Sequence, residues 1–103
     1  MGTSEEKVVQ IIDPKIMSAI KVFKALSDPT RITILKKLQD EERCICEFVD
    51  VVGLSQPAVS YHFGILADAG LITVRKEGRR VICWARKRGL LDQLLKAVES
   101  LEE

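Results

Sequence analysis

The sequence predicts a mainly α-helical fold with one small β-hairpin, in the order α-α-α-α-β-β-α, and three observations carry that prediction. Apolar residues recur at helical spacing in successive segments up to Gly70, and several of those segments open on a helix-start signal. From Leu71 to Ala85 the pattern turns extended, with two β-prone runs on either side of a polar, glycine-containing link. Helical spacing then returns in a last segment carrying Leu90, Leu91, Leu94, Leu95, Val98 and Leu101.

Asp13-Pro14 pairs an N-cap with a proline at the first helical position, and Ile16, Met17, Ile20, Phe23 and Leu26 follow as one apolar face. Ser27-Asp28-Pro29 repeats the start signal, and Ile32, Ile34, Leu35 and Leu38 mark a second helix that ends near an acidic run. Cys46 to Val52 is expected to form a short third helix stopped by Gly53, which can adopt the left-handed conformation of a helix end. Ser55 then caps a fourth helix with Pro57 in its first turn and Val59, Phe63, Leu66 and Ala67 as its buried stripe. Leu71–Arg75 and Arg80–Ala85 are the expected strands, linked through Lys76-Glu77-Gly78-Arg79. Two helices joined through a glycine turn and followed by a hairpin make a winged helix-turn-helix. The whole chain, 1–103, is expected to be one such domain, with an N-terminal arm over 1–13 and a C-terminal helix over 89–102. That last helix is too apolar to leave in water, so a homodimer is expected, built on it and on the first helix, the alternative being that it folds back on its own core.

With 47% hydrophobic and 30% charged residues and no apolar run near the roughly 20 residues a bilayer span needs, the chain reads as a soluble cytoplasmic protein rather than a membrane or exported one. Three cysteines without an export signal imply reduced thiols rather than a disulfide framework. The net charge is only +1, but it is segregated. Seven basic residues against Glu77 give +6 over 71–89, whereas five acids against Arg43 give −4 over 40–50. An enzyme is excluded by the single histidine, His62, and by the lack of a phosphate-binding glycine loop or a nucleophile with its base.

The residues placed to read double-stranded DNA lie on the fourth helix. If Val59, Phe63 and Leu66 face the core, Ser55, Gln56, Pro57, Ser60 and Tyr61 occupy the outer side and the N-terminal end, which is the end that enters a major groove. Gln56 can pair with adenine, Ser60 can bond a base or a phosphate, and His62 can donate to a phosphate. On the hairpin, Lys76, Arg79 and Arg80 can reach phosphates or the adjacent minor groove. Each residue taken singly could be an ordinary solvated side chain, and the hairpin basics could be a solubilising loop; their joint placement after a glycine turn favours DNA. A winged helix that binds a protein partner through the same surface is the rival reading.

Three stretches resemble the ArsR/SmtB family of winged-helix repressors: A-L-S-D-P-T-R-I-T-I-L from Ala25, L-S-Q-P-A-V-S-Y-H-F-G-I-L-A-D-A-G-L-I from Leu54, and E-G-R-R-V from Glu77. The resemblance covers about residues 15 to 100. It implies a homodimer that binds an inverted-repeat operator, represses transcription and lets go when an inducer binds. It also implies contacts from Ser55, Gln56, Ser60 and His62, and from Arg79 and Arg80 on the wing.

Many members of that family sense metals or metalloids through a C-x-C pair in the third helix, and Cys44 and Cys46 stand at the matching position. Two thiolates suit thiophilic ions, with As(III) the first expectation and an oxidisable thiol pair, or an unrelated inducer, the alternative. Residues two apart in a regular helix diverge, so the pair can share an ion only if Cys44 lies in an irregular segment before the helix. The third thiolate of the arsenic-type pattern would fall at Val49, which cannot supply it. Cys83 is the remaining thiol and reads as a packing residue of the second strand; the alternative for Cys44 and Cys46 is that they are small buried apolar residues, and their placement at the sensing position favours a thiol sensor. The arm carries no cysteine or histidine, and Asp92 and Glu99 lack a histidine to complete a zinc site on the last helix.

Overall fold

The computed structural model describes residues 7 and 11–102. Most of the expected N-terminal arm therefore lies outside the described residues. Helix α1 (Pro14–Leu26) starts where the sequence places it, with the Asp13 carboxylate accepting from Lys15 N at 2.7 Å. Asp28 caps α2 (Pro29–Lys37) more fully, accepting from Thr30 N at 2.8 Å and Arg31 N at 3.2 Å. These bonds satisfy amides that a helix start leaves without internal partners. Burial pushes the Asp28 carboxyl up, but the Arg31 and Thr30 amides and the Arg31 charge outweigh it and hold the group below its ordinary value.

The expected third helix is corrected at its start. Arg43 and Cys44 form a short strand, β1, Ile45–Glu47 make a single 3₁₀ turn, and α3 proper is Phe48–Val52. The cause is a partner about forty residues away: β1 pairs antiparallel with β3 (Arg80–Ala85), Arg43 opposite Cys83 and Cys44 opposite Ile82. That pairing holds Cys44 extended, at φ −73° and ψ 138°, so helical geometry begins only after it. Gly53 ends α3 in the left-handed region at φ 67°, as its sequence position requires.

Ser55 caps α4 (Gln56–Asp68), its hydroxyl accepting from Ala58 N at 3.3 Å. The hairpin is tighter than the sequence suggests. Strand β2 (Ile72–Glu77) runs on to Glu77, which pairs with Arg80 across a two-residue turn, Gly78-Arg79. Gly78 takes φ 61° while Arg79 keeps a negative φ, the glycine-first arrangement that matches the twist of paired strands. The sheet order is β1-β3-β2. Helix α5 (Leu90–Glu99) and a closing 3₁₀ turn, Ser100–Glu102, follow. Its start is held by Gln39, whose side-chain oxygen accepts from Gly89 N at 3.0 Å while its amide donates to Leu35 O.

One buried cluster joins these elements: Ala25 of α1, Ile34 and Leu35 of α2, Phe48 of α3, Val59, Phe63 and Leu66 of α4, Leu71, Ile72, Cys83 and Ala85 of the sheet region, and Leu91 of α5. Phe48 and Phe63 meet edge to face with ring centres 5.1 Å apart, which ties α3 to α4. The α1 face anticipated from Ile16 and Phe23 does not join this core: both are exposed, and only Ala25 of that helix is fully buried. Phe23, with Leu26, which also packs against the core, lines an open apolar groove of about 520 Å³ shared with Ile32 and with Leu91, Leu94, Leu95, Val98 and Leu101, of which Leu91 to Val98 belong to α5. Among the described residues, no helix is long and apolar enough to cross a membrane.

Candidate nucleic-acid interface

Helix α4 divides as its sequence demands. Val59, Phe63 and Leu66 are buried, and this orientation leaves Gln56, Pro57, Ser60 and Tyr61 exposed. Gln56 and Ser60 are four apart and so lie one above the other on one face at the N-terminal half. Tyr61 is 65% exposed, with its ring edge-on to that of His62. The Ser55 hydroxyl oxygen is engaged as a cap, which leaves its hydrogen free to donate.

His62 is half-buried and faces Arg31, whose terminal nitrogen sits 3.1 Å from the ring Nδ1. The same guanidinium donates from Nε to Ala25 O at 2.7 Å and from its second terminal nitrogen to Lys24 O at 3.3 Å. One side chain thus connects the last turn of α1 to α4.

On the wing, Lys76, Arg79 and Arg80 are exposed, and no carboxylate pairs with them among the described residues. Arg75, next to them in sequence, is committed elsewhere. It bonds both carboxylate oxygens of Glu42, at 2.7 and 3.1 Å, reaches Glu77 at 3.1 Å, and lies over the Trp84 ring at 5.2 Å. The hydrogen bonds from Arg75 hold the Glu42 carboxyl below its ordinary value, against a smaller opposing effect of burial, and the guanidinium is raised in turn. Arg43 meets Glu41 at 3.1 Å and Glu47 at 3.5 Å. Part of the acidic run is therefore spent on Arg75 at the wing base and on Arg43, not on the wing tip.

Cys44 and Cys46 come together because Cys44 is extended and Cys46 lies in the 3₁₀ turn, with Cα atoms 5.2 Å apart. Their sulfur atoms are bonded to each other, a correction to the expected free thiols. Cys44 is buried and Cys46 exposed. Cys83 is fully buried on the opposite face of the strand pair from Cys44, and its thiol donates to Arg43 O at 3.2 Å. Burial, and after it the Glu47 charge, push that thiol up to about 12 against the lowering effect of its backbone bond. Cys83 therefore stays a neutral packing residue. Among the described residues, no three His, Cys, Asp or Glu side chains are grouped to hold a metal ion.

Residues 28–74 match the model of the bacterial regulatory protein, arsR family. The chain is 43% identical over 65 residues to an uncharacterized HTH-type transcriptional regulator of Methanocaldococcus jannaschii, a match spanning 62% of this chain and 73% of that one. It is 33% identical over 91 residues to a putative arsenical resistance operon repressor of Halobacterium salinarum, spanning 76% and 70%. The chain belongs to the ArsR family. A further relative is a probable mercury resistance operon repressor of Streptomyces lividans, 39% identical over 61 residues, spanning 59% of this chain and 49% of that one. The chain thus spans about half the length of several curated relatives it matches. The fold superimposes on the homodimeric winged helix-turn-helix DNA-binding domain of a possible ArsR-family regulator from Mycobacterium bovis, with TM-score 0.72, 25% identity, and 96% and 89% of the two chains covered. ArsR-family proteins are DNA-binding transcriptional regulators and not enzymes, as the sequence predicts.

Two residues that shape this ArsR-family site have no local signal in the sequence: Arg31 acts through His62, 31 positions away, and Arg75 through Glu42, 33 positions away. Only charge segregation signalled either of them: an acidic run facing a basic one invites a cross-chain ion pair, which Arg75 and Glu42 form.

Proposed function

We propose that this ArsR-family chain is a homodimeric repressor that holds an inverted-repeat operator with α4 and the wing and is released when a thiophilic ion binds Cys44 and Cys46. The observation that carries the DNA part is the division of α4, with Val59, Phe63 and Leu66 locked in the core and Gln56, Ser60 and Tyr61 turned outward. Ser55, Gln56, Pro57, Ser60, Tyr61 and His62 are the proposed contacts in and beside the major groove; Lys76, Arg79 and Arg80 are the proposed wing contacts to phosphate. The partner of the apolar groove between α1 and α5 is a second copy of the chain, a reading supported by the homodimeric neighbour. In this reading, residues 1–103 act as one domain whose 89–102 segment dimerises.

For the inducer, the donor set is two sulfurs on one short segment. It fits a soft ion that two thiolates can hold, and As(III) is tested first, with mercury(II) beside it, since the arsenical and mercury repressors are similar chains. No third protein thiolate is placed to complete a trigonal As(III) site within one chain. A second reading is favoured by the bonded sulfurs: the pair is a redox switch. Two thiols then lose two electrons and two protons as the S–S bond forms, and a peroxide is reduced to water and an alcohol or to two waters.

The test is fluorescence anisotropy of the reduced protein on the duplex upstream of its own gene at fixed salt. Tight binding lost on adding one equivalent of As(III) or mercury(II), and retained in a Cys44→Ser/Cys46→Ser variant, supports ion release. Release by peroxide and rebinding after dithiothreitol selects the redox reading. Binding with little salt dependence would refute phosphate contact by the wing, because each phosphate engaged should make the slope of log K against log salt about 0.9 more negative.

A further inference from the structure

We infer that Arg31 is a positioning residue for DNA binding: it fixes the tautomer and orientation of His62 so that the ring presents Nε2–H outward as a hydrogen-bond donor. This rests on the reading of His62 as a phosphate contact. A guanidinium has only donors, so at 3.1 Å from Nδ1 it can bond the ring only by that nitrogen's lone pair. A neutral imidazole with Nδ1 accepting carries its one proton on Nε2. No other hydrogen bond to the ring is present among the described residues, so Nε2–H is left for a ligand with an acceptor, and a phosphate oxygen is such a group.

Arg31 can impose this because it is itself immobilised. Its Nε and second terminal nitrogen are held by Ala25 O and by Lys24 O, a carbonyl at the end of α1 that also accepts from the Ser27 amide and hydroxyl, and its own backbone amide is held by Asp28. The fork is thus pinned on two sides before it reaches the ring. Lysine would keep the charge, and with it the long-range attraction to phosphate, but a single ammonium cannot span both carbonyls and the imidazole in one plane. Arg31→Lys therefore separates positioning from charge.

His62 is the chain's only histidine, so long-range ¹H–¹⁵N correlation spectra of the untagged protein read its tautomer without assignment. The expected result, recorded at about pH 8, is a single Nε2–H tautomer in the wild type and a mixture in Arg31→Lys. On the duplex upstream of the gene, Arg31→Lys should weaken binding about tenfold when His62 is present and not further when His62 is alanine, as for one lost charge-assisted bond. An Nδ1–H tautomer in the wild type would overturn the inference. So would an equal loss from Arg31→Lys in both backgrounds, since that marks a brace between α1 and α4 that acts without the ring. If the wild type bound no duplex, the DNA reading would fall, while the wild-type spectrum would still decide whether Arg31 sets the tautomer.

Discussion

Truncating Phe23 to alanine should break the dimer while leaving the single chain folded. Phe23 is 60% exposed on the wall of the groove between α1 and α5, so its removal opens no cavity in the core. Fully burying such a side chain contributes roughly 1.5–3 kcal/mol, and the exposed six-tenths leaves about 1–2 kcal/mol to be realised at an interface. A two-fold interface counts the residue twice, giving about 2–4 kcal/mol per dimer, which raises the dimer Kd about 30- to 1,000-fold. Sedimentation velocity from nanomolar to high micromolar protein reads that shift directly. Val51→Ala is the control, since Val51 is also exposed but lies outside the groove, and it should leave the Kd unchanged. The wild-type unfolding midpoint should rise with protein concentration, and that dependence should move to higher concentration in Phe23→Ala. Dimerisation through this groove is refuted if Phe23→Ala dissociates no more readily than Val51→Ala, or if the wild type is monomeric over the whole range.

Phe48→Ala removes a side chain that is 1% exposed and stacked edge-on against Phe63, and should cost about 3–5 kcal/mol in urea unfolding; a loss under about 1 kcal/mol would mean α3 does not anchor α4. Glu42 has a folded pKa below its ordinary 4.5, so its ion pair with Arg75 stabilises the fold above that value and is lost as pH falls through the lowered one. Glu42→Gln should therefore lower stability at neutral pH, by a small amount because the pair is exposed, and match the wild type once the pH falls below the lowered value; a difference between the two that does not shrink on acidification would contradict the pairing. Cys83, with its thiol pushed up to about 12, should resist alkylation at pH 8 until the chain unfolds, whereas Cys46 should react once reduced; mass spectrometry of labelled peptides distinguishes them.

Short-range chemistry determined most of what could be read from the chain alone. Asp13-Pro14, Asp28-Pro29 and Ser55 mark helix starts because a cap satisfies amides within three residues, and Gly53 and Gly78 mark turns because positive φ is a local steric matter. The same locality made the outward face of α4 legible, since burying Val59, Phe63 and Leu66 leaves Gln56 and Ser60 no other direction. Tertiary structure alone decided the rest. No local signal could place β1, a strand of two residues that exists only because β3 offers it a ladder, and that pairing in turn shortened α3 and brought Cys44 and Cys46 together. It also turned Cys83 to the other face of the sheet, removing it from any shared site with them. Arg75, in sequence only one of the seven basic residues over 71–89, became a structural cation once folding set Glu42 against it. Arg31 acquired its hold on His62 only when α2 and α4 packed together, because a contact between residues 31 positions apart has no periodicity for a sequence to display.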